Sequence, residues 1–175
     1  TMFIYRDYKW RDLPKLLHRT VKTVTVVMIL IGFAAAFGYI MTIMMIPMTV
    51  TSFLTSLSDN KYVLLALINV LLLVLGAIMD MAPLILILTP ILMPVIKMIG
   101  VDPVHFGMIM MLNLGIGLIT PPVGAVLFTG SAVAKLSIGE VLSAMKPFFL
   151  ALLLVLGMVT YIPWLSLWLP RYLGL

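Results

Sequence analysis

The chain has no cysteine, so these residues cannot form a disulfide, a zinc–thiolate centre or an iron–sulfur cluster among themselves. Charge is also scarce, since only 10% of the 175 residues are charged, whereas 63% are hydrophobic and the mean hydropathy is +1.25. This composition excludes an ordinary soluble domain. Alternating segments of about ten residues, which are typical of transmembrane β-strands, are missing as well. The sequence therefore predicts an all-α polytopic membrane protein.

The formal net charge of +5 does not indicate a nucleic-acid partner. A nucleic-acid-binding surface interleaves basic with aromatic residues, whereas most lysines and arginines here flank hydrophobic runs. The positive-inside rule of membrane proteins explains that placement better. Nucleophilic triads, phosphate-binding loops and histidine-rich metal motifs are also absent from the sequence, which predicts that the protein is not an enzyme. The basic opening at Thr1 suggests a piece of a longer chain.

Uncharged runs and helix-breaking residues divide the chain into six predicted segments. They are a cytoplasmic or interfacial linker (1–22), a membrane helix with a surface arm helix (23–60), a re-entrant hairpin (61–99), a broken transmembrane helix (100–136), an amphipathic arm helix (137–146) and a C-terminal membrane helix (147–175). A solvated loop is an equal alternative for the linker. With the linker in the cytoplasm, eight lysines and arginines lie inside and three outside, as the positive-inside rule requires.

The hairpin is predicted from two short apolar stretches. Residues 61–75 and 83–98 would form helices only about 22–24 Å long, which is short for a hydrocarbon core of about 30 Å. The turn between them has Gly76 at the end of one helix and Pro83 at the start of the next, and it carries Asp80. We therefore predict that the tip reaches the middle of the bilayer. A single long kinked span and two short tilted spans are the alternatives.

The stretch 111–128 is as hydrophobic as a membrane helix but is interrupted by five residues that disfavour a helix, namely Gly115, Gly117, Pro121, Pro122 and Gly124. Each proline lacks an N–H donor and its ring clashes with the carbonyl four residues earlier, so residues 119–124 should be non-helical. A free carbonyl inside a bilayer costs several kcal/mol unless it faces protein, water or a ligand. The break therefore needs a partner.

A hairpin with an acidic tip followed by a helix broken at similar depth is an arrangement in which secondary transporters bind ions and substrate. Unwound carbonyls and half-helix C-termini are partly negative, and the carboxylate at the tip adds a formal charge. An all-oxygen site of this kind suits a hard cation such as sodium. The predicted sodium ligands are Gly76, Asp80, Gly117, Thr120 and Gly124.

Two of the polar residues have other interpretations. Asp80 could be protonated or paired with a structural donor, although ionisable residues inside membranes are usually functional. Asn113 is a candidate substrate contact, and a polar link between helices is an equal alternative.

The sequence also resembles the C-terminal part of the large membrane (M) subunit of TRAP transporters, the tripartite ATP-independent periplasmic transporters. The resemblance is carried by FGY at 37–39, SLSDN at 56–60, MD at 79–80, LILTPIL at 86–92, GVDPVHFG at 100–107, NLGIGLITPPVG at 113–124 and LSLWLP at 165–170. It covers nearly the whole chain.

The resemblance implies a sodium-coupled elevator-type importer of organic acids, multi-pass in the bacterial inner membrane, with sodium as coupling ion and no other cofactor. It implies two inverted repeats, of which this chain holds one. The implied partners are a periplasmic substrate-binding protein, a small four-helix membrane subunit and the N-terminal half of the same subunit. Thr120, Pro121 and Pro122 would then line the substrate as well as the ion. An organic-anion transporter with other or no ion coupling, or a non-transporting membrane scaffold, are the alternatives.

Overall fold

A computed structural model describes residues 10–58 and 60–174, and every regular element within these ranges is helical. A 3-10 turn at Trp10–Asp12 precedes eight α-helices. They are α1 (Leu13–Ile43), α2 (Ile46–Leu57), α3 (Lys61–Ile78), α4 (Met81–Met98), α5 (Pro103–Leu118), α6 (Ala125–Ala134), α7 (Ile138–Tyr161) and α8 (Trp164–Tyr172). By length and composition, α1, α3, α4 and α7 could each cross a membrane. The prediction of an all-α polytopic membrane protein is therefore confirmed.

The core lies where α3, α4 and α5 pack together. Its side chains are leucine, isoleucine, valine and phenylalanine with almost no exposed surface, among them Ile68, Leu72, Leu92, Ile96, Phe106, Ile109 and Leu114. In contrast, the most apolar windows of α1 and α7 are only 6% buried. These two helices therefore present apolar surfaces of the kind that contact lipid or other protein.

Polar side chains fix the starts of four helices. Asn60, Asp80 and Asp102 each accept a hydrogen bond from a backbone N–H in the first turn of α3, α4 and α5. Ser137 and Glu140 form a reciprocal capping box at the start of α7. These caps satisfy backbone N–H groups that would otherwise lack a partner in the first helical turn.

The hairpin arms are longer than predicted, since α3 and α4 have 18 residues each. Gly76 continues α3 rather than ending it, and Asp80 caps α4 directly, so only Met79 and Asp80 separate the two helices. At the other end, the Lys61 Nζ donates to the Gly100 carbonyl at 2.9 Å. The chain thus returns to its starting level, which contradicts the single long kinked span. We call residues 79–80 the tip, and the region around Lys61 and Gly100 the open end.

Two predicted boundaries do not interrupt the helices. Residues 137–146 were expected to form a separate arm helix and Pro147 to begin the last span, but α7 runs unbroken from Ile138 to Tyr161. Pro147 and Ser143, the residue four positions earlier whose carbonyl loses its partner, are both exposed, so the lost hydrogen bond leaves no buried polar group. Similarly, α1 continues across the predicted boundary at residue 22. The change from charged to apolar residues there marks the depth at which the helix enters the membrane and does not end the helix.

Candidate ion site

Helices α3 and α5 lie side by side and run in the same direction. Near their middles the Nδ2 of Asn113 donates to the Oδ1 of Asn69 at 2.8 Å, and near their C-terminal ends Gly117 contacts Gly76. Both helices therefore end at the same level, next to the tip. Because the C-terminal end of a helix carries partial negative charge, this convergence gathers negative potential beside Asp80.

The contact between the two helix ends requires glycine at position 117 and is tight at position 76. A Cβ on Gly117 would lie 2.6 Å from the Cα of Gly76, and a Cβ on Gly76 would lie 3.3 Å from the Cα of Leu114. The first distance is well below any ordinary contact. The glycines therefore let the two backbones approach, and the approach places the end of α5 against the tip.

The predicted break in the helix is confirmed and covers Ile119–Gly124, between α5 and α6. The N–H of Val123 donates to the carbonyl of Ala77 at 3.1 Å, so the break is tied to the end of α3. The peptide bond between Pro121 and Pro122 is cis. Gly124, with φ of +34°, turns the chain into α6 in the left-handed region that favours glycine. The hairpin therefore provides part of the protein surface that the backbone of the break requires as a partner.

A small cavity of about 40 Å³ lies between the tip and the break. Its lining residues are Gly76, Met79, Asp80, Leu118, Val123 and Gly124. It is large enough for about one water-sized group. Three of the five predicted sodium ligands, Gly76, Asp80 and Gly124, therefore meet at one cavity. One carboxylate oxygen of Asp80 accepts the N–H of Met81 at 2.9 Å, and the carboxylate has further lone pairs for a cation.

The other two predicted ligands, Gly117 and Thr120, do not line this cavity but belong to the adjacent end of α5 and the break. The carbonyl of Gly117 accepts the N–H of Thr120 at 2.9 Å. The carbonyl oxygen of Thr120 lies 3.1 Å from the position that a Cβ on Gly124 would occupy. The hydroxyl of Thr120 donates to the carbonyl of Ile116 at 2.7 Å, which leaves its oxygen as an acceptor. That these oxygens bind a cation together with Asp80 stays a prediction.

The residues predicted for substrate are not brought together in one place. Thr120 and Pro121 line a second cavity of about 310 Å³, whose other walls are apolar side chains of α3, α5 and α7. Pro122 is exposed. No cationic side chain lines this cavity within the described residues, so these walls alone do not neutralise a carboxylate.

Asn113 lies deep inside the helix packing and has no exposed surface. Its Nδ2 donates to Asn69 and to the carbonyl of Ile109, each at 2.8 Å, while its Oδ1 has no partner among the described residues. Asn69 in turn donates to the Oγ1 of Thr160 at 2.9 Å. The structure thus places Asn113 in a polar chain that links α3, α5 and α7, and not beside residues 120–122.

Sequence reasoning missed Asn69 and Thr160, which complete this polar chain. The available signal was the single amide of Asn69 inside an uninterrupted apolar helix, because a polar residue in a membrane helix usually bonds a neighbouring helix. The position of its partner depends on which helices pack together. That arrangement could not be derived from spacing.

The helical fold, the hairpin and the broken helix define a multi-pass membrane protein. Residues 1–165 match the family model of the tripartite ATP-independent periplasmic transporter, DctM component. The chain belongs to this family, which is a transporter membrane subunit and not an enzyme.

Several relatives are similar over most of the chain. It is 40% identical to the C4-dicarboxylate TRAP transporter large permease protein DctM of Pseudomonas aeruginosa, over 99% of this chain and 41% of the relative. It is 40% identical to the 2,3-diketo-L-gulonate TRAP transporter large permease protein YiaN of Escherichia coli, over 91% and 38%. It is 36% identical to the sialic acid TRAP transporter large permease protein SiaM of Vibrio cholerae, over 98% and 40%. The chain thus spans about two fifths of the length of these relatives.

Proposed function

We propose that this chain is the C-terminal part of a sodium-coupled importer of organic acids that works by an elevator mechanism in the bacterial inner membrane. A periplasmic binding protein delivers the substrate, and a small four-helix membrane subunit and the N-terminal half of the same subunit complete the transporter. The observation that carries this proposal is the cavity at which the Asp80 carboxylate, the end of α3 and the break before α6 meet.

Sodium fits this cavity by charge and by donor type. Sodium is a hard cation that prefers oxygen ligands, and the cavity is lined by the carboxylate-bearing Asp80 and by Gly76 and Gly124, whose backbone carbonyls we propose as further ligands. The C-terminal ends of the parallel helices α3 and α5, which meet at Gly76 and Gly117, add partial negative charge side by side. Because the Asp80 side chain also caps α4, the same carboxylate would both stabilise the hairpin and bind the ion.

A tip that stops inside the bilayer is supported by the length of α7. Thr160, near its C-terminal end, bonds α3 and α5, whereas Phe149 and Leu153 lie beside the break at Thr120. The first eleven residues of α7, from Ile138 to Phe148, therefore lead away from the break, and as a helix they are about 16 Å long. If α7 spans the membrane, the tip lies well short of the opposite face.

The substrate class follows from the relatives, whose names specify a C4-dicarboxylate, sialic acid and 2,3-diketo-L-gulonate. The Thr120–Pro122 break would line one side of the substrate. Cationic groups that neutralise the acid would come from the N-terminal half, since the cavity beside Thr120 and Pro121 is almost wholly apolar.

The test is sodium-driven uptake by the complete transporter carrying Asp80→Asn. Asparagine keeps the cap on α4 but removes the charge that attracts the cation, so we expect uptake at limiting sodium to fall by about tenfold or more, which corresponds to about 1.4 kcal/mol of lost attraction. Glu140→Gln is the matched control, because glutamine also completes the capping box of α7 and this residue lies outside the cavity.

Three outcomes of the uptake measurements distinguish the proposed sodium site from the alternatives. Uptake that falls in Asp80→Asn and recovers at high sodium supports the ion site. Unchanged sodium dependence in the same variant would refute the assignment of Asp80 as a ligand. Uptake that proceeds without sodium in the unmodified transporter would favour an organic-anion transporter with other or no ion coupling.

A further inference from the structure

At the open end of the hairpin, the ends of several helices enclose a cavity of about 240 Å³, the open-end pocket. The first turns of α3 and α5, the last turn of α7 and the side of α8 form its walls. Lys61 and Arg171 supply two cationic side chains. This pocket lies at the opposite end of α3 from the proposed ion site.

Among the residues that the structure describes, no group neutralises the positive charge in the pocket. Asp102 is the acidic residue in the lining, and its Oδ1 is engaged by the N–H groups of Val104 and His105 at 2.8 and 3.4 Å. Lys61 donates to a backbone carbonyl, and neither Lys61 nor Arg171 forms an ion pair within residues 10–58 and 60–174. The pocket therefore holds two cations against one carboxylate that already caps a helix.

His105 shapes the inner wall of the pocket rather than binding a ligand. Its Nε2 lies 3.3 Å from the carbonyl of Thr160, which can only accept, and its Nδ1 lies 3.1 Å from the Oγ of Ser166. Both ring nitrogens are thus occupied, and the ring is only 2% exposed. It joins α5 to α7 and to α8, the helix that carries Arg171.

Aromatic residues of the kind that concentrate near lipid headgroups surround the pocket. Tyr62 and Tyr161 line it, and their ring centroids lie 6.0 Å apart. Trp164 and Trp168 follow on α8 and are 65% and 50% exposed. Tyrosine and tryptophan concentrate at the level where the membrane meets water. A ligand with both an apolar part and a negatively charged group fits this setting.

We propose that the open-end pocket binds the phosphate of an anionic phospholipid headgroup between the Lys61 ammonium and the Arg171 guanidinium. Arginine and lysine both bind phosphate, the first by two parallel hydrogen bonds and the second as a point charge. The acyl chains of the lipid would extend out of the pocket along the exposed apolar surface beside α8. This proposal concerns lipid retention and does not rest on sodium coupling.

The test uses the complete large permease with its small subunit, purified in detergent and mixed with phosphatidylglycerol, with bound lipid counted by native mass spectrometry. Lys61→Gln and Arg171→Gln should each weaken phosphatidylglycerol binding about fivefold, because one basic residue near an anionic lipid surface is worth about 1 kcal/mol. Lys97→Gln is the matched control, since Lys97 lies in the last turn of α4 near the same end but does not line the pocket. Lys61→Arg keeps the positive charge and should retain the lipid. This variant shows that a substitution at position 61 does not by itself disrupt the fold.

Other results would overturn the proposal. Equal losses in Lys97→Gln and Lys61→Gln would show general surface attraction without a site. The unmodified protein could instead bind inorganic phosphate but not phosphatidylglycerol, with phosphate binding weakened by Lys61→Gln and Arg171→Gln. That result would show that the pocket binds a free anion and not a lipid. Full lipid retention together with lost capture of the periplasmic binding protein in Arg171→Gln would point to a protein carboxylate instead.

Discussion

Gly117 faces Gly76 so closely that no side chain fits between the ends of α3 and α5. Together with the hydrogen bond from the Val123 N–H to the Ala77 carbonyl, this contact holds the break after α5 against the tip, beside the proposed ion site. The contact depends on the absence of a methyl group, so it can be tested by adding one.

Gly117→Ala should destabilise the protein, because the new methyl would meet the Gly76 backbone, which cannot rotate away. We expect a loss of about 1–3 kcal/mol, as for other overpacked interiors, and a lower sodium affinity. Thermal unfolding of the complete permease, with and without sodium, measures both. Gly115→Ala is the control, since a Cβ at Gly115 meets nothing within 4 Å. Equal effects of the two changes would contradict the role of this contact.

The amide pair of Asn69 and Asn113 should stabilise the packing of α3 on α5. A double-mutant cycle with Asn69→Leu and Asn113→Leu should give a coupling of about 0.6–1.7 kcal/mol, the range known for hydrogen bonds between membrane helices. Unfolding of the detergent-solubilised permease provides the free energies. Thr42→Val serves as reference, because the Thr42 hydroxyl bonds only its own helix at the Gly38 carbonyl. Additive effects of the two leucines would show that the pair contributes nothing jointly.

Cysteine labelling tests the topology of the hairpin, and the lack of native cysteine makes each introduced thiol unique within this chain. Tyr62→Cys and Met98→Cys, both exposed at the open end, should react with an impermeant maleimide from the same side of the membrane. Leu136→Cys, between α6 and α7, should react from the other side.

The tip then decides between a re-entrant hairpin and two full spans. Met79→Cys should react about tenfold more slowly than Leu136→Cys from either side if the tip lies inside the bilayer, because thiol chemistry needs the hydrated thiolate. Rapid labelling of Met79→Cys from the side that labels Leu136→Cys would show that α3 and α4 cross the membrane completely.

Sequence reasoning found much of the proposed ion site. Asp80 stood out because an isolated carboxylate in an apolar region needs a function, and the break at Pro121–Pro122 stood out because two prolines cannot continue a helix. It did not find Met79, Leu118 and Val123, which also line the cavity. Apolar residues occur throughout this sequence, so their type does not indicate that they line a site. It also treated Pro147 as a helix start, since the exposure that makes a proline tolerable inside α7 is a property of the packing.

The sequence by itself determined that the chain is a helical membrane protein and where one of its helices breaks. These features depend on composition and on residues within a few positions of each other, such as the adjacent Pro121 and Pro122. Only the tertiary structure decided that Asn113 is an internal link and that Gly76, Asp80 and Gly124 meet at one cavity. Those results require α3 and α5 to pack in parallel, and the close approach of two glycines 41 positions apart becomes visible only when the helices are in place.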